Sequence, residues 1–263
     1  MKIYKTIEIT FEQNIATVWL NRPAVHNAFN SEMIAEITDC FNNINNEQDI
    51  SIVLLRGKEK SFCAGADLNW MRDVSKQSYA QNLKESKKLY DCFFSIYKCQ
   101  KPTIAIVHGV ALGGANGLLT ACDITYCIDS TIFAFSEVKI GIVPATISPF
   151  VIKRIGEFGA KELMLTGRRI NGKEAENYKL VNKSFESIEA LENYMITIIK
   201  QLKTSGPNAI TNCKDLIFNV CNVLNLNETL EYTAKMIADI RASAEGQEGM
   251  SAFLEKRKPN WIK

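Results

Sequence analysis

Two runs of small residues, Ser61-Phe62-Cys63-Ala64-Gly65-Ala66-Asp67-Leu68 and Ala111-Leu112-Gly113-Gly114-Ala115-Asn116-Gly117-Leu118, give this chain its clearest means of doing chemistry. Each follows an apolar, β-like segment and can bring bare backbone N–H groups up to a ligand that a bulky side chain would hold away. Two such donors about 2.7–3.1 Å from one oxygen make an oxyanion hole, which stabilises the enolate of a thioester by several kcal/mol. Ala66, just after Gly65, and Gly114, at the mouth of an expected helix, are the two donors selected here. A plainer reading uses these glycines only for tight turns and close helix packing, since neither run is a GxGxxG fingerprint or a phosphate loop.

The carboxylate that could work beside such a hole is Glu137, between strand-like residues 132–135 and the Ile140-Gly141 turn. Among Phe135, Val138 and Ile140 it is expected to be desolvated, which raises a carboxyl pKa and suits general acid–base work. Its plainer alternative is a strand-end carboxylate that caps a helix or pairs with Lys139. His26 reads as a flanking or surface imidazole and His108 as a hydrogen-bonded one at a strand end. Cys63 has no sequence neighbour to activate it and reads as packing.

Apolar segments must position these turns. Ile3 to Thr10 and Ile15 to Leu20 alternate in polarity and read as a hairpin joined by Phe11-Glu12-Gln13-Asn14. Asn30 or Ser31 then caps a helix with Met33, Ile34, Ile37 and Phe41 on one face. The continuously apolar Ile52-Val53-Leu54-Leu55 is expected to be a buried strand leading into the first turn, and Thr103 to Val107 a strand leading into the second. A polar stretch, 73–84, precedes a helix around Leu89, Phe93, Phe94 and Tyr97. Residues 114–122 read as a helix, and 124–128 and 132–135 as strands. Beyond Lys183 the spacing predicts helices over 188–202, 208–220, 226–241 and 244–256, hence an α/β core over 1–195 and a helical region over 196–263.

With 263 residues, 46% of them apolar, the chain can bury a sizeable core. Its 31 basic and 29 acidic residues leave a net charge of +2, which argues against nucleic acid or an anionic membrane as partner. Eight cysteines without a CxxC pair, and only two histidines, point to buried free thiols in a reducing compartment rather than to zinc or a disulfide frame. The N-terminal residues lack the apolar block of a signal peptide, and no apolar run is long enough to span a membrane. A cytoplasmic protein without a metal is expected.

In order along the chain, Phe62 to Leu68, Ala111 to Gly114 with Cys122-Asp123-Ile124, and Phe135 to Gly141 resemble successive signatures of the enoyl-CoA hydratase/isomerase (crotonase) superfamily. Leu20-Asn21-Arg22-Pro23 with Asn27-Ala28, and Ala252 to Arg257, extend the resemblance over essentially the whole chain. It implies a spiral of ββα units, a C-terminal helical trimerisation region, and a homotrimer or a hexamer built as a dimer of trimers. It further implies that the N–H groups of Ala66 and Gly114 polarise an acyl-CoA thioester carbonyl. The backbone near Ala64 and Leu68 would hold the adenine end of the CoA and that of Ala24 to His26 would lie along the same ligand, Asp67 would orient the turn rather than touch the substrate, and Phe253 and Lys256 would reach the CoA of a neighbouring subunit. Coenzyme A is then part of the substrate, and no separate cofactor is expected. Trp70, Gly117, Phe135, Ile142 and Phe150 are candidates to line the acyl pocket, with Met71 and Ile147 nearby and ordinary core packing as the alternative.

The chain departs from the family pattern in two places. The family often has Lys where this chain has Ala24, and its hydratases usually place a second glutamate where this chain has Gly117. Either Glu137 cycles alone on a bound water, or the gap is filled by a water or small anion, by Asn116, or by a carboxylate of the substrate. Ala64 to Met71, Val143 to Val151 and Glu245 to Gly249 resemble bacterial methylglutaconyl-CoA hydratases, which implies 3-methylglutaconyl-CoA of leucine and isovalerate breakdown as substrate. On that reading Gly117 makes room near the reacting double bond and avoids repulsion between like charges. The alternatives are a general enoyl-CoA hydratase, a Δ3-Δ2 enoyl-CoA isomerase that needs one proton-shuttling base, and a noncatalytic acyl-CoA or RNA-binding member.

Overall fold

The computed structural model describes residues 2–262; Met1 and Lys263 lie outside the described residues. Strands β1 (Ile7–Glu12) and β2 (Ile15–Leu20) pair antiparallel through the two-residue turn Gln13-Asn14. Both turn residues have positive φ, 48° and 69°, the mirror-turn backbone that matches the twist of a hairpin. The first strand begins later than its alternation predicts because the preceding segment spends its polar groups on a helix. The N–H groups of Lys5 and Thr6 both donate to the Glu36 carboxylate at 2.8 Å, and the Tyr4 hydroxyl donates to Asp39. That helix, α1 (Ser31–Ile44), is capped by Asn30, whose side chain accepts from the Met33 N–H, and buries Met33, Ile34, Ile37 and Phe41.

Next come β3 (Ile52–Gly57), α2 (Leu68–Val74), α3 (Tyr79–Tyr97) and β4 (Thr103–Val107). The polar stretch before Leu89 is helical from Tyr79, because Ser78 and Gln81 form a reciprocal capping box. They are followed by β5 (Val110–Leu112), α4 (Ala115–Ala121), β6 (Ile124–Ile128), β7 (Ile132–Ala134) and a 3-10 turn over Ser136–Ile140. Then come α5 (Ser148–Thr166), interrupted at Gly156, and β8 (Arg169–Ile170), α6 (Gly172–Asn177) and β9 (Lys183–Phe185). The larger sheet runs β1-β2-β3-β4-β6-β9, parallel from β2 onward; the smaller runs β5-β7-β8. The central strands are apolar on both faces, as helix-covered parallel strands must be.

The chain divides into two compact units, Met1–Cys99 with Thr103–Asn193, and Gln100–Pro102 with Tyr194–Lys263. Helix α7 (Ile188–Lys203) spans the boundary in sequence, and α8 (Pro207–Asn222), α9 (Leu226–Ala242) and α10 (Ala244–Leu254) belong to the second unit. There the Glu245 carboxylate accepts from the N–H groups of Asn208 and Ala209, satisfying the start of α8. Among the described residues no helix is long and apolar enough to cross a membrane. Six of the eight thiols are buried, and burial pushes those of Cys40, Cys63, Cys92 and Cys127 up to about 12. Cys213 and Cys221 are exposed on α8, against the expectation that all eight pack inside.

Candidate functional site

The first turn is held by main-chain bonds on both sides. The Cys63 N–H donates to the Val110 carbonyl at 3.0 Å and the Leu112 N–H to that of Cys63 at 3.2 Å, so Cys63 and Ala111 pair as a parallel bridge. On the other side the Phe29 N–H donates to Gly65 at 2.9 Å, and the Asp67 N–H to Phe29 at 3.0 Å. Gly65 has φ +90°, and a Cβ there would stand 2.7 Å from the Leu112 carbonyl oxygen, so a side chain is excluded on both counts. The Ala64 N–H donates to the carbonyl of His26 at 3.0 Å, whereas that of Ala66 has no protein acceptor among the described residues.

The second turn is built the same way. The Gly113 N–H donates to Ala134 at 2.8 Å and the Asn116 N–H to Gly113 at 3.0 Å, while the Gly114 N–H has no protein acceptor among the described residues. A Cβ at Gly114 would lie 2.5 Å from the tip of the Phe29 ring. Phe29 thus joins the halves: its backbone clamps the turn holding Ala66, and its ring lies on Gly114. Two unspent donors flank one buried side chain.

The third component follows β7. A Cβ at Gly113, where φ is +52°, would stand 3.2 Å from Glu137 Oε1, so the Glu137 carboxylate lies directly over the second turn. Glu137 Oε2 is buried without a hydrogen-bond partner among the described residues. Burial raises the Glu137 carboxyl above its ordinary range, opposed by the residue's own backbone N–H. Pairing with Lys139 does not occur; the Lys139 stem lies against Gly167 instead.

Gly117 corrects the expectation of open space. A Cβ there would be 2.5 Å from Ile147 Cγ2 and 2.9 Å from two atoms of the Phe93 ring. The place the Cβ of a second glutamate would take is already occupied by buried apolar side chains from α3 and the start of α5. Asn116 does not supply the missing acid either, because its side chain's only proton donor, the amide nitrogen, is spent on backbone carbonyls.

The remaining candidates separate by role. Asp67 caps α2, accepting from the N–H groups of Asn69 and Trp70, and pairs with Arg22 at 2.9 Å. Burial would raise its carboxyl, but those N–H groups and the Arg22 guanidinium outweigh it and hold the group low. Ala24 is exposed in a single 3-10 turn, Pro23–Val25, and Leu68 is exposed at the start of α2. His26, at φ 52°, has Nδ1 3.1 Å from Ser61 Oγ, and His108 Nε2 lies 2.6 Å from the Glu59 carbonyl. Trp70 packs edge-on against Phe29 at 6.0 Å, and its buried indole N–H has no acceptor among the described residues. Phe135 is core, and Phe150 belongs to an aromatic cluster with Tyr90, Phe93 and Tyr97. Ile142 is 51% exposed, and in the second unit Phe253 and Lys256 are exposed. Sequence reasoning missed Phe29 as the joint between the turns, and Phe93 and Ile147 as the filling at Gly117; only the neighbouring Asn27-Ala28 hinted at the first.

The family model described as enoyl-CoA hydratase/isomerase matches residues 10–263. A peroxisomal Delta(3,5)-Delta(2,4)-dienoyl-CoA isomerase of Arabidopsis thaliana is 33% identical, over 100% of this chain and 99% of that protein. The crystal structure of an enoyl-CoA hydratase from Shewanella pealeana superposes with a TM-score of 0.93 at 35% identity, covering 98% of this chain and 96% of that one. Pseudomonas aeruginosa AtuE superposes with a TM-score of 0.95 at 29% identity, over 98% and 100% of the two chains.

Proposed function

We propose, from the premise that the chain belongs to the enoyl-CoA hydratase/isomerase family, that this enzyme adds water reversibly to a 2-enoyl-CoA, with 3-methylglutaconyl-CoA as its substrate. The observation that carries the reading is the pair of unspent N–H groups, Ala66 and Gly114, beside a buried carboxylate with an unpartnered oxygen. The thioester oxygen accepts from both donors, whose preorganised dipoles favour the enolate over the ground state. Glu137 takes a proton from water as the water oxygen bonds to C3, and electrons move into the thioester to form the enolate. The same carboxyl then returns the proton to C2, so one base completes the addition.

The choice of acyl group rests on the resemblance in residues 64–71, 143–151 and 245–249. The lack of a second carboxylate at residue 117 supports it, since a substrate with its own carboxylate meets less repulsion. The indole N–H of Trp70, on the residue packed against Phe29, is a donor suited to that distal carboxylate. By the same resemblance we expect a cytoplasmic homotrimer or hexamer with Phe253 and Lys256 at a neighbour's CoA, which sedimentation and a Lys256→Ala KM would test.

One observation favours a second reading. The apolar filling at Gly117 leaves a single carboxylate, and double-bond isomerisation needs only one base to carry a proton between carbons. Incubating the enzyme with 3-methylglutaconyl-, crotonyl- and 3-enoyl-CoA and weighing the products separates the two. Hydration adds the mass of one water to the 2-enoyl esters; conversion of 3-enoyl-CoA at constant mass, with the 2-enoyl esters untouched, overturns the hydratase reading.

A further inference from the structure

We propose that Asn116 is a positioning residue for the reaction: it locks the peptide that carries the Gly114 donor and the strand end that carries Glu137. The inference rests on the reading of the site given above. Asn116 is 0% exposed, and its Nδ2 donates to the carbonyls of Gly113 and Ala134 at 3.0 Å each, with that of Ala111 at 3.4 Å. An amide nitrogen has two hydrogens, so the bonds to Gly113 and Ala134 are its main ones and Ala111 is a weaker, shared contact.

The Gly113 carbonyl and the Gly114 N–H belong to one planar trans peptide and point in opposite directions. Holding the carbonyl therefore aims the N–H. This peptide joins two glycines, the first at φ +52°, and its carbonyl is held by the Asn116 side chain together with the Asn116 backbone N–H at 3.0 Å, which every variant at 116 tested below retains. The second carbonyl, Ala134, also accepts the Gly113 N–H at 2.8 Å and lies at the end of β7, just before Glu137. One side chain thus ties both parts of the reacting centre. Asn116 Oδ1 has no partner among the described residues, so the donor end alone makes these ties at the expense of a buried unpaired acceptor.

Kinetics and unfolding temperatures of four variants test this. Asn116→Leu keeps the branched shape and heavy-atom count, though its methyls are larger, and removes the donor; Thr120→Val removes a hydroxyl that donates to the Asn116 carbonyl at 2.6 Å without touching the turn. Asn116→Leu is expected to lose about 10–1000-fold in kcat with KM nearly unchanged, as for a misaimed oxyanion donor. Thr120→Val is expected to lower the unfolding temperature while keeping kcat. In Asn116→Asp burial among carbonyls favours the protonated carboxyl, which restores one donor, and ionisation removes it, so its kcat relative to wild type should fall as pH rises. Wild-type kcat in Asn116→Leu, losses in Thr120→Val matching those in Asn116→Leu, or a flat pH ratio for folded Asn116→Asp would each overturn the proposal. Full turnover in Glu137→Gln would instead overturn the site reading on which it rests.

Discussion

Adding a single methyl at Gly117 gives opposite signs depending on whether space is present. In an open helix interior, Gly→Ala stabilises by about 0.5–1 kcal/mol because glycine carries the larger entropy cost. Here the new Cβ would sit 2.5 Å from Ile147 Cγ2 and 2.9 Å from Phe93 Cε1 and Cζ, where carbon pairs prefer about 3.5–4.0 Å. Neither neighbour yields easily: both are buried, and Phe93 meets Phe150, which is itself fixed against Tyr90 and Tyr97. Overpacking of this kind costs roughly 1–3 kcal/mol, which leaves a net loss of about 0.5–2 kcal/mol after the helix gain. At about 2–4 °C per kcal/mol for a chain of this size, Gly117→Ala should melt roughly 1–8 °C lower. Thermal and urea unfolding at fixed protein concentration measure it. Ile147→Ala removes the closest atom, so the double variant should lose less than the sum of the singles, with a coupling of roughly 0.5–3 kcal/mol. A higher midpoint for Gly117→Ala, or simple additivity in the pair, would refute the packing argument.

Glu137→Gln should cut kcat by about 10²–10⁴ while sparing CoA-ester binding, as loss of a general base does. Its stability should move the other way: a carboxyl raised in the folded state adds stability below its unfolded pKa, and that stability is lost as pH rises through the folded value. At neutral pH the charged group is a burden, so the Gln variant should unfold at a higher temperature than wild type at pH 7, a gain that vanishes in acid. The Asp67 carboxyl is depressed, so its contribution is present above the unfolded pKa and fades as pH falls through the folded value. Asp67→Ala, losing a helix cap and leaving Arg22 unpaired, should cost about 1–3 kcal/mol at pH 7 by denaturant titration, with the gap to wild type narrowing in acid. An aromatic disulfide reagent should label Cys213 and Cys221 on the folded chain and leave the six buried thiols unreacted until denaturant is added.

Much of this architecture was legible in one dimension because its signals are local. Asn30 before an apolar face, the continuous runs of β3 and β4, and the glycines of the two turns each report on their immediate surroundings. The elements that escaped are those whose cause is distant. Strands β5, β8 and β9 are two or three residues long, too short for a period to show, and exist because neighbours pair with them. Helix α5 opens on Ser148-Pro149 and contains Gly156 and Gly159, so locally it reads as a turn. At the site, Gly65, Gly113 and Glu137 announced themselves by type. Gly117 announced only a missing side chain; that Phe93 and Ile147 take up the volume depends on chain far removed in sequence. Asn116 entered only as one way to fill the gap at Gly117, and its partners appear only once β7 is placed beside the turn.

If the two N–H groups act as proposed, a catalytic pair made of main chain has an unusual mutational profile. Every residue type except proline carries the same N–H, so no other single replacement at Ala66 or Gly114 deletes a donor outright, although a side chain at Gly114 would collide with Phe29. The carboxylate has no such protection, since one base change can remove it. On that reading an acid or base beside the hole can be exchanged without altering the groups that would bind the thioester oxygen. The hole stays fixed while the acids and bases around it can differ, as the glycine at 117 illustrates.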